Sequence, residues 1–427
     1  MRHTAELIKQ ELEKLMCLSQ GGENGNRVFQ PLVKRIEGTP IRAFFVHKIY
    51  EEIKAVHKRG LAFPKSRLKE TLFTQQLPLL FEGIISVQYL HNQILDQKHG
   101  VRSSAKIADN LLRANLLKDY LYEYVAAYID PSVEKKVTAC LRQAFRYVDI
   151  GQQMEKQWNT YEMFTHPENI PDTVLAPEVE QFIALEELTP FRAALQKELP
   201  REKWEFADLY LQRIYLTCGA LFILAVELIT DLLGTPPSTS QRLKRFAVCY
   251  GLMRQLINDN ADVVPSSLGL STLNKFPEDA FSDIRNRNIT LPLILHLSEQ
   301  PNGPIGQWLA SGATSLSPDQ EATFVQTLQS SFAIFQSIQF GKLLSQMANY
   351  HLAAQHQPAL MLADSCNIAE WNRFLIPFIK SNQYKLFRKS PAYRRCKLNI
   401  RRIGQDDKKT EKEAVNSLPI YNLIVTS

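Results

Sequence analysis

Cysteine is scarce and never closely spaced: Cys17, Cys140, Cys218, Cys249, Cys366 and Cys396 form no CxxC pair. That spacing argues against a zinc site and a dense disulfide framework, and it suits a reduced, cytoplasmic protein. A strong charge of one sign is also lacking. A formal net charge of +6 over 427 residues gives no general basis for binding nucleic acid. The N-terminal "MRHTAELIKQELEKL" carries charges where a signal peptide needs an apolar core. The most apolar run, "YLTCGALFILAVELITDLLG", is broken by Glu227 and Asp231, so it reads as a buried core helix and not as a membrane span. Alternating strand patterns are scarce and no repeat of fixed period occurs, which argues against sheet-based folds and solenoids.

What is present is helical periodicity. Apolar residues recur at three- and four-residue spacing in "AELIKQELEKLM", "VHKIYEEIKAVHKR", "KIADNLLRANLLKDYLYEYVAAYI" and "WEFADLYLQRIYLTCGALFILAVELITDLL". Breaks fall at "SQGGENGN", "THPENIPDTVLAPEVE", "GTPPSTS" and "VVPSSLGLSTLNKFPED". The expected architecture is all-α, a large helical bundle joined by short connections. It divides into an N-terminal helical extension (1–40), a main helical domain (41–350) and a C-terminal extension (351–427). The last begins a densely basic stretch at "KLFRKSPAYRRCKLNIRR", which reads either as a solvated tail or as a contact for an anionic surface or partner.

Two apolar helices end in oxygen-bearing clusters. The stretch "YLHNQILDQKHGVRSS", Tyr89 to Ser104, offers Asn92 and Asp96 on one face, with Arg102 shortly after. In "YGLMRQLINDNADVV" the set is Asn258, Asp259 and Asp262, three and four residues apart and so on a common face. Helix ends facing each other with such groups are a way to hold a hard cation such as magnesium, which favours a few carboxylates plus phosphate oxygens. Each cluster alone also fits a solvated helix terminus. The histidine pairs lack ligand spacing: His351 and His356 are five apart with no glutamate between them.

The order of further fragments gives a more specific picture. From Phe81 on, the chain resembles the trans-prenyltransferase family, the all-helical isoprenoid diphosphate synthases and their terpene-synthase relatives. "YLHNQILDQKHGVRS" is similar to the family's LIHDDIMDxxxxRRG, with Asn92 and Gln93 where aspartates belong and Val101 for an arginine. "IGQQME" resembles GQxxD, with Gln152 retained and Glu155 in the acidic position. "TCGALF" resembles KTGxLF, its lysine replaced by Thr217. "RQLINDNAD" resembles FQIVDDxxD, keeping Gln255, Asp259 and Asp262 but carrying Asn258. "SDIRNRNITLPLIL" resembles SDLREGKATLPLIL, keeping Arg285 but with Asn288 for the lysine. The N-terminal GKRxRP station fades, with remnants at His57–Gly60, which includes Lys58 and Arg59, or at Pro64–Arg67.

The resemblance implies an isoprenoid-synthase-like bundle around a central apolar cavity, commonly homodimeric, acting on an allylic prenyl diphosphate held by magnesium. Asp96, Asp259 and Asp262 would be its catalytic carboxylates, joined as metal ligands by Asn92 and Asn258. Arg102, Gln152, Glu155, Thr217, Gln255, Arg285, Lys58, Arg59 and Tyr89 would bind substrate, Tyr89 narrowing the cavity floor. The departures weaken this machinery. Amides bring no negative charge, so the magnesium site is a weakened one, and cations that hold diphosphate are missing at Val101, Thr217 and Asn288. Chain elongation with isopentenyl diphosphate is therefore disfavoured. Two readings remain. One is a divergent enzyme that transfers or ionises and cyclises one prenyl diphosphate, with Asp259 mattering more than Asp96. The other is a non-catalytic partner subunit or lipid-binding scaffold.

Overall fold

The computed structural model describes residues 2–19, 23–38, 40–57, 68–96, 103–170, 189–263, 281–313, 315–353, 382–391 and 393–394. Most of these residues are helical, and among them the only β-type pairing is an isolated bridge between Thr160 and Asn288. In chain order the helices are α1 (Arg2–Cys17), α2 (Glu23–Glu37), α3 (Ile41–His57), α4 (Leu77–Leu95), α5 (Ser104–Tyr128), α6 (Glu134–Gln157) and the short α7 (Tyr161–Thr165). After them come α8 (Thr189–Glu198), α9 (Arg201–Ile214), α10 (Ala220–Leu232), α11 (Pro237–Asp262), α12 (Ser282–Arg285) and α13 (Leu291–Glu299). The series closes with α14 (Pro304–Ala310), α15 (Pro318–Ser330), α16 (Ala333–Ala353) and α17 (Asn382–Lys389).

The apolar segment singled out in the sequence is the spine. Helices α9 and α10 run on from one another through a π-helical turn at Tyr215–Gly219, and 89% of the most apolar window is buried within the protein. The two acids that break the run lie at its C-terminal end and pair with neighbouring helices. Glu227 meets Lys244 at 3.1 Å and Asp231 meets Lys136 at 2.7 Å. Helix α11 packs along both this spine and α16. It comes so close that a Cβ on Gly251 would lie 2.7 Å from the Cα of Gly219, so only glycine fits at this backbone-to-backbone crossing. Beside the crossing, Phe45, Phe222, Phe246 and Tyr250 form an aromatic cluster with centroids 4.7–6.0 Å apart.

Helices α1 and α2 share this core through Ile8, Leu12, Leu15, Phe29 and Leu32. Glu11 of α1 accepts a buried hydrogen bond from the Tyr124 hydroxyl of α5. The fully buried carboxylate of Glu82, on α4, accepts from the backbone N–H groups of Arg42 (2.6 Å) and Ala43 (3.1 Å). It thereby caps α3 from a different helix and also faces Arg35. From the C-terminal extension, α17 docks by Phe387, which is wholly buried against Phe332 and Phe335. The basic stretch beyond residue 394 lies outside the described residues.

His296 of α13 gives the interior a pH dependence. Its Nδ1 lies 2.9 Å from Ser331 Oγ, and burial lowers its pKa from the ordinary 6.5 to about 4. The unfolded chain therefore takes up the proton first, so stability is intact above the ordinary histidine range and falls as pH drops from about 6.5 towards 4. Urea midpoints across this window should decline for the wild type and decline less steeply for His296→Gln.

Candidate functional site

The resembling fragments converge at one end of the bundle, where their polar side chains bond largely to one another and to the backbone. On α4, Asn92 lies one turn beyond Gln88. Gln152 Nε2 of α6 donates to Asn92 Oδ1 at 2.6 Å and to the Gln88 carbonyl at 3.3 Å. Gln93 turns towards α5 and accepts from Asn110 Nδ2 at 3.1 Å. Asp96 sits at the C-cap of α4, where the helix dipole disfavours a carboxylate. The ammonium of Lys156 offsets this at 2.8 Å, leaving the Asp96 side chain 8% exposed.

At the end of α11 the expected common face splits. Asn258 is exposed, whereas Asp259 and Asp262 are buried. Residues 258 and 259 are about 100° apart on a helix, and the interior takes the pair spaced three apart. Asp259 accepts from the Tyr210 hydroxyl at 2.5 Å and from Gln255 Nε2 at 2.7 Å, one donor for each oxygen. Burial, with the neighbouring Asp259 charge, raises the Tyr210 pKa well above its ordinary value, so the phenol stays a donor. Asp262 accepts from Ser282 Oγ (2.7 Å) and from the Asp283 N–H (2.9 Å). The segment carrying those donors is bracketed by two left-handed residues, Phe281 (φ 58°) and Arg287 (φ 60°). Each is a conformation that costs a non-glycine residue and persists only where its surroundings fix it. The Phe281 N–H donating to the Asp262 carbonyl at 2.8 Å is one such restraint.

Between the two helix ends stands Arg213 of α9. Its Nη1 donates to Glu155 Oε2 at 2.8 Å, and Asn288 Nδ2 donates to Glu155 Oε1 at 3.1 Å. Burial would lower the Arg213 pKa, but Glu155 and Asp259 outweigh it and hold the guanidinium above its ordinary range. Thr217 lies in the π turn and donates to the Arg213 carbonyl, while Gln88 Nε2 donates to the Thr217 carbonyl at 3.4 Å. Asn286 Nδ2 reaches the Asp96 carbonyl at 3.4 Å, so the 282–288 segment touches Asp96, Glu155 and Asp262 alike.

Other expected residues fall elsewhere. Arg285 faces Glu321 at 3.6 Å, and Tyr89 is half-buried in the electrostatic neighbourhood of Arg35. Lys58, Arg59 and Arg102 lie outside the described residues. The sequence reading missed Lys156, Tyr210, Arg213 and Arg42. Arg42 offered a signal: "GTPIRA", 38–43, keeps the glycine and the second arginine of GKRxRP at the same spacing. Its guanidinium lies 3.7 Å from Cys218 Sγ, beside the Thr217 station, and stacks 5.5 Å from the Phe222 ring centroid. Lys156 and Arg213 had no comparable motif, because their partners are distant in sequence.

The donor set does not fit magnesium as it stands. Such an ion takes carboxylate oxygens in near-octahedral geometry with several waters. Here the oxygens of Asp259 and Asp262 are bonded to protein donors, and Asp96 and Glu155 are each paired with a cation. Among the described residues, no three or more His, Cys, Asp or Glu side chains are grouped to hold a metal ion.

No protein-family model and no curated protein sequence matches the chain. Solved structures do match. Geranylgeranyl pyrophosphate synthase from Corynebacterium glutamicum, complexed with isoprenyl diphosphate and magnesium, aligns with a TM-score of 0.59 at 14% identity, over 87% of this chain and 98% of that one. A decaprenyl diphosphate synthase from Rhodobacter capsulatus gives 0.57 at 16% identity, over 87% and 98%. Polyprenyl synthase from Caulobacter crescentus CB15, complexed with calcium and isoprenyl diphosphate, gives 0.55 at 14%, over 84% and 96%. At these identities the likeness establishes architecture: the chain has the all-helical isoprenoid-synthase fold.

Proposed function

We propose that this chain is a non-catalytic member of the isoprenoid-synthase fold that works as a paired subunit. The observation that carries this reading is Asp259: it is 1% exposed, with one oxygen bonded to Tyr210 and the other to Gln255. Metal-assisted ionisation of an allylic prenyl diphosphate needs carboxylates that hand their oxygens to a cation, which then meets the charge developing on the leaving group. Here the same oxygens hold helices together. The competing reading, a divergent magnesium-assisted enzyme, draws on the diphosphate complexes of the similar synthases. Labelled geranyl, farnesyl and geranylgeranyl diphosphates, each incubated with magnesium and with or without isopentenyl diphosphate, separate the two. No pyrophosphate release and no elongated product are expected; turnover above the no-protein control would restore the enzymatic reading.

Pairing is supported by the exposed face of α5. Ile107, Leu111, Leu112 and Leu116 are 36–61% exposed on consecutive turns, and an apolar stripe of this kind marks an interaction surface. Asp119 and Glu123 follow it on the exposed side of α5, and Arg142 and Arg146 are exposed on the adjacent α6. A face with both signs of charge on neighbouring helices complements itself under a two-fold axis, which favours a second copy of this chain as the occupant. A cleft of about 410 Å³ between these helices, lined by Lys118, Tyr122 and Phe145 among others, offers a place for a partner side chain. Light scattering of the purified chain should give a dimer, and Leu112→Asp with Leu116→Asp should give a monomer of unchanged helical content. A wild-type monomer at tens of micromolar would remove this part of the proposal.

A further inference from the structure

The way Arg213 is held says more than that turnover is disfavoured. The residue is 3% exposed, yet Nη1 alone is bonded, to Glu155, while Nε and Nη2 are buried without a hydrogen-bond partner. A guanidinium selected for hydrogen bonding would use its planar fork in full. What the surroundings use is its charge. Its central carbon lies 5.1 Å from the centroid of the Tyr210 ring, whose hydroxyl donates to Asp259, and its favourable electrostatic partners are Glu155, Asp259, Tyr210 and Asp283. Lys156, one residue beyond Glu155, meets Asp96 at 2.8 Å in the same way.

We propose that Arg213 and Lys156 are built-in counter-ions that hold the carboxylate cluster together in place of divalent metal, and that removing Arg213 uncovers a latent divalent-cation site on Glu155 and Asp259. The inference deepens the non-catalytic reading and rests on it. A covalently attached monovalent cation cannot leave, so the cluster stays balanced at any metal concentration. It also spreads its charge over a plane, where a magnesium ion concentrates two charges at a point. Removing one partner of a buried pair strands the other charge, which is the condition under which a divalent ion from solution gains most.

The test uses the full chain with no diphosphate present and reads the melting temperature in EDTA, magnesium or manganese. The wild type is expected to melt at one temperature in all three. Arg213→Met should melt at least about 5 °C lower in EDTA and recover half or more of that loss in manganese. Adding Asp259→Asn to that variant should abolish the recovery. A folded Arg213→Met that ignores manganese overturns the proposal. So does a wild type stabilised by metal alone and made indifferent by Asp259→Asn. Should Arg213→Met fail to fold, Arg213→Met with Glu155→Gln removes both charges and is expected to fold again; a double variant that stays unfolded assigns Arg213 to packing and also overturns it. Pyrophosphate release by the wild type would sink the functional reading while leaving a metal-indifferent melting temperature, so the two failures are told apart.

Discussion

A positive charge inside an apolar bundle must be matched, and Arg213 is the charge on which the arrangement of this interior depends. Its desolvation is offset by Glu155 and Asp259, which ties α9 to α6 and α11 at once. Glu155 then fixes Asn288, and Asp262 of α11 fixes the N-terminal end of the same 282–288 segment. The oxygens that the resemblance assigns to a metal are thus the joints between helices. Their chemistry in the intact chain is that of buried structural carboxylates, satisfied by protein donors and cations.

The same logic operates at the other side of α4. Glu82 is buried, and two backbone N–H groups at the start of α3 and the Arg35 side chain converge on it. Burial pulls the Arg35 pKa down, with Glu82 the largest opposing influence. One helix, α4, therefore carries a charge-dependent joint near its first turns and another at its C-cap, Asp96. Just after Glu82 the helix is buried from Gly83 to Val87, so it is held there by packing and positioned by polar contacts on either side.

Much of this was legible in the sequence. Helix content followed from the three- and four-residue spacing, and the order of the five fragments pointed to the fold. The apolar spine was recognisable as a core helix because Glu227 and Asp231 interrupt it. What could not be read was which carboxylates already had partners. Lys156 and Asp96 are 60 residues apart, Arg213 and Glu155 58, and no local pattern encodes such a pairing. The face assigned to Asn258, Asp259 and Asp262 was too generous, since a one-residue step turns Asn258 to solvent while its neighbour is buried. Arg42 was legible in spacing alone, since its motif had lost all three of its basic and proline neighbours, with Thr39, Pro40 and Ala43 in their places.

The π turn at Tyr215–Gly219 has a consequence for how this chain tolerates insertions and deletions. Its closing bond runs from the Ala220 N–H to the Tyr215 carbonyl, a five-residue span that holds one residue more than an α turn. Deleting a single residue there would let α9 and α10 merge into one regular helix, at no cost in backbone hydrogen bonds. The wide turn already absorbs that residue, so α10 would keep its facing and Phe222 its place in the aromatic cluster. The same deletion within the regular part of α9 or α10 would rotate everything after it by about 100°. A lost residue is thus tolerated at this turn, whereas a few residues away it would scramble the tertiary packing.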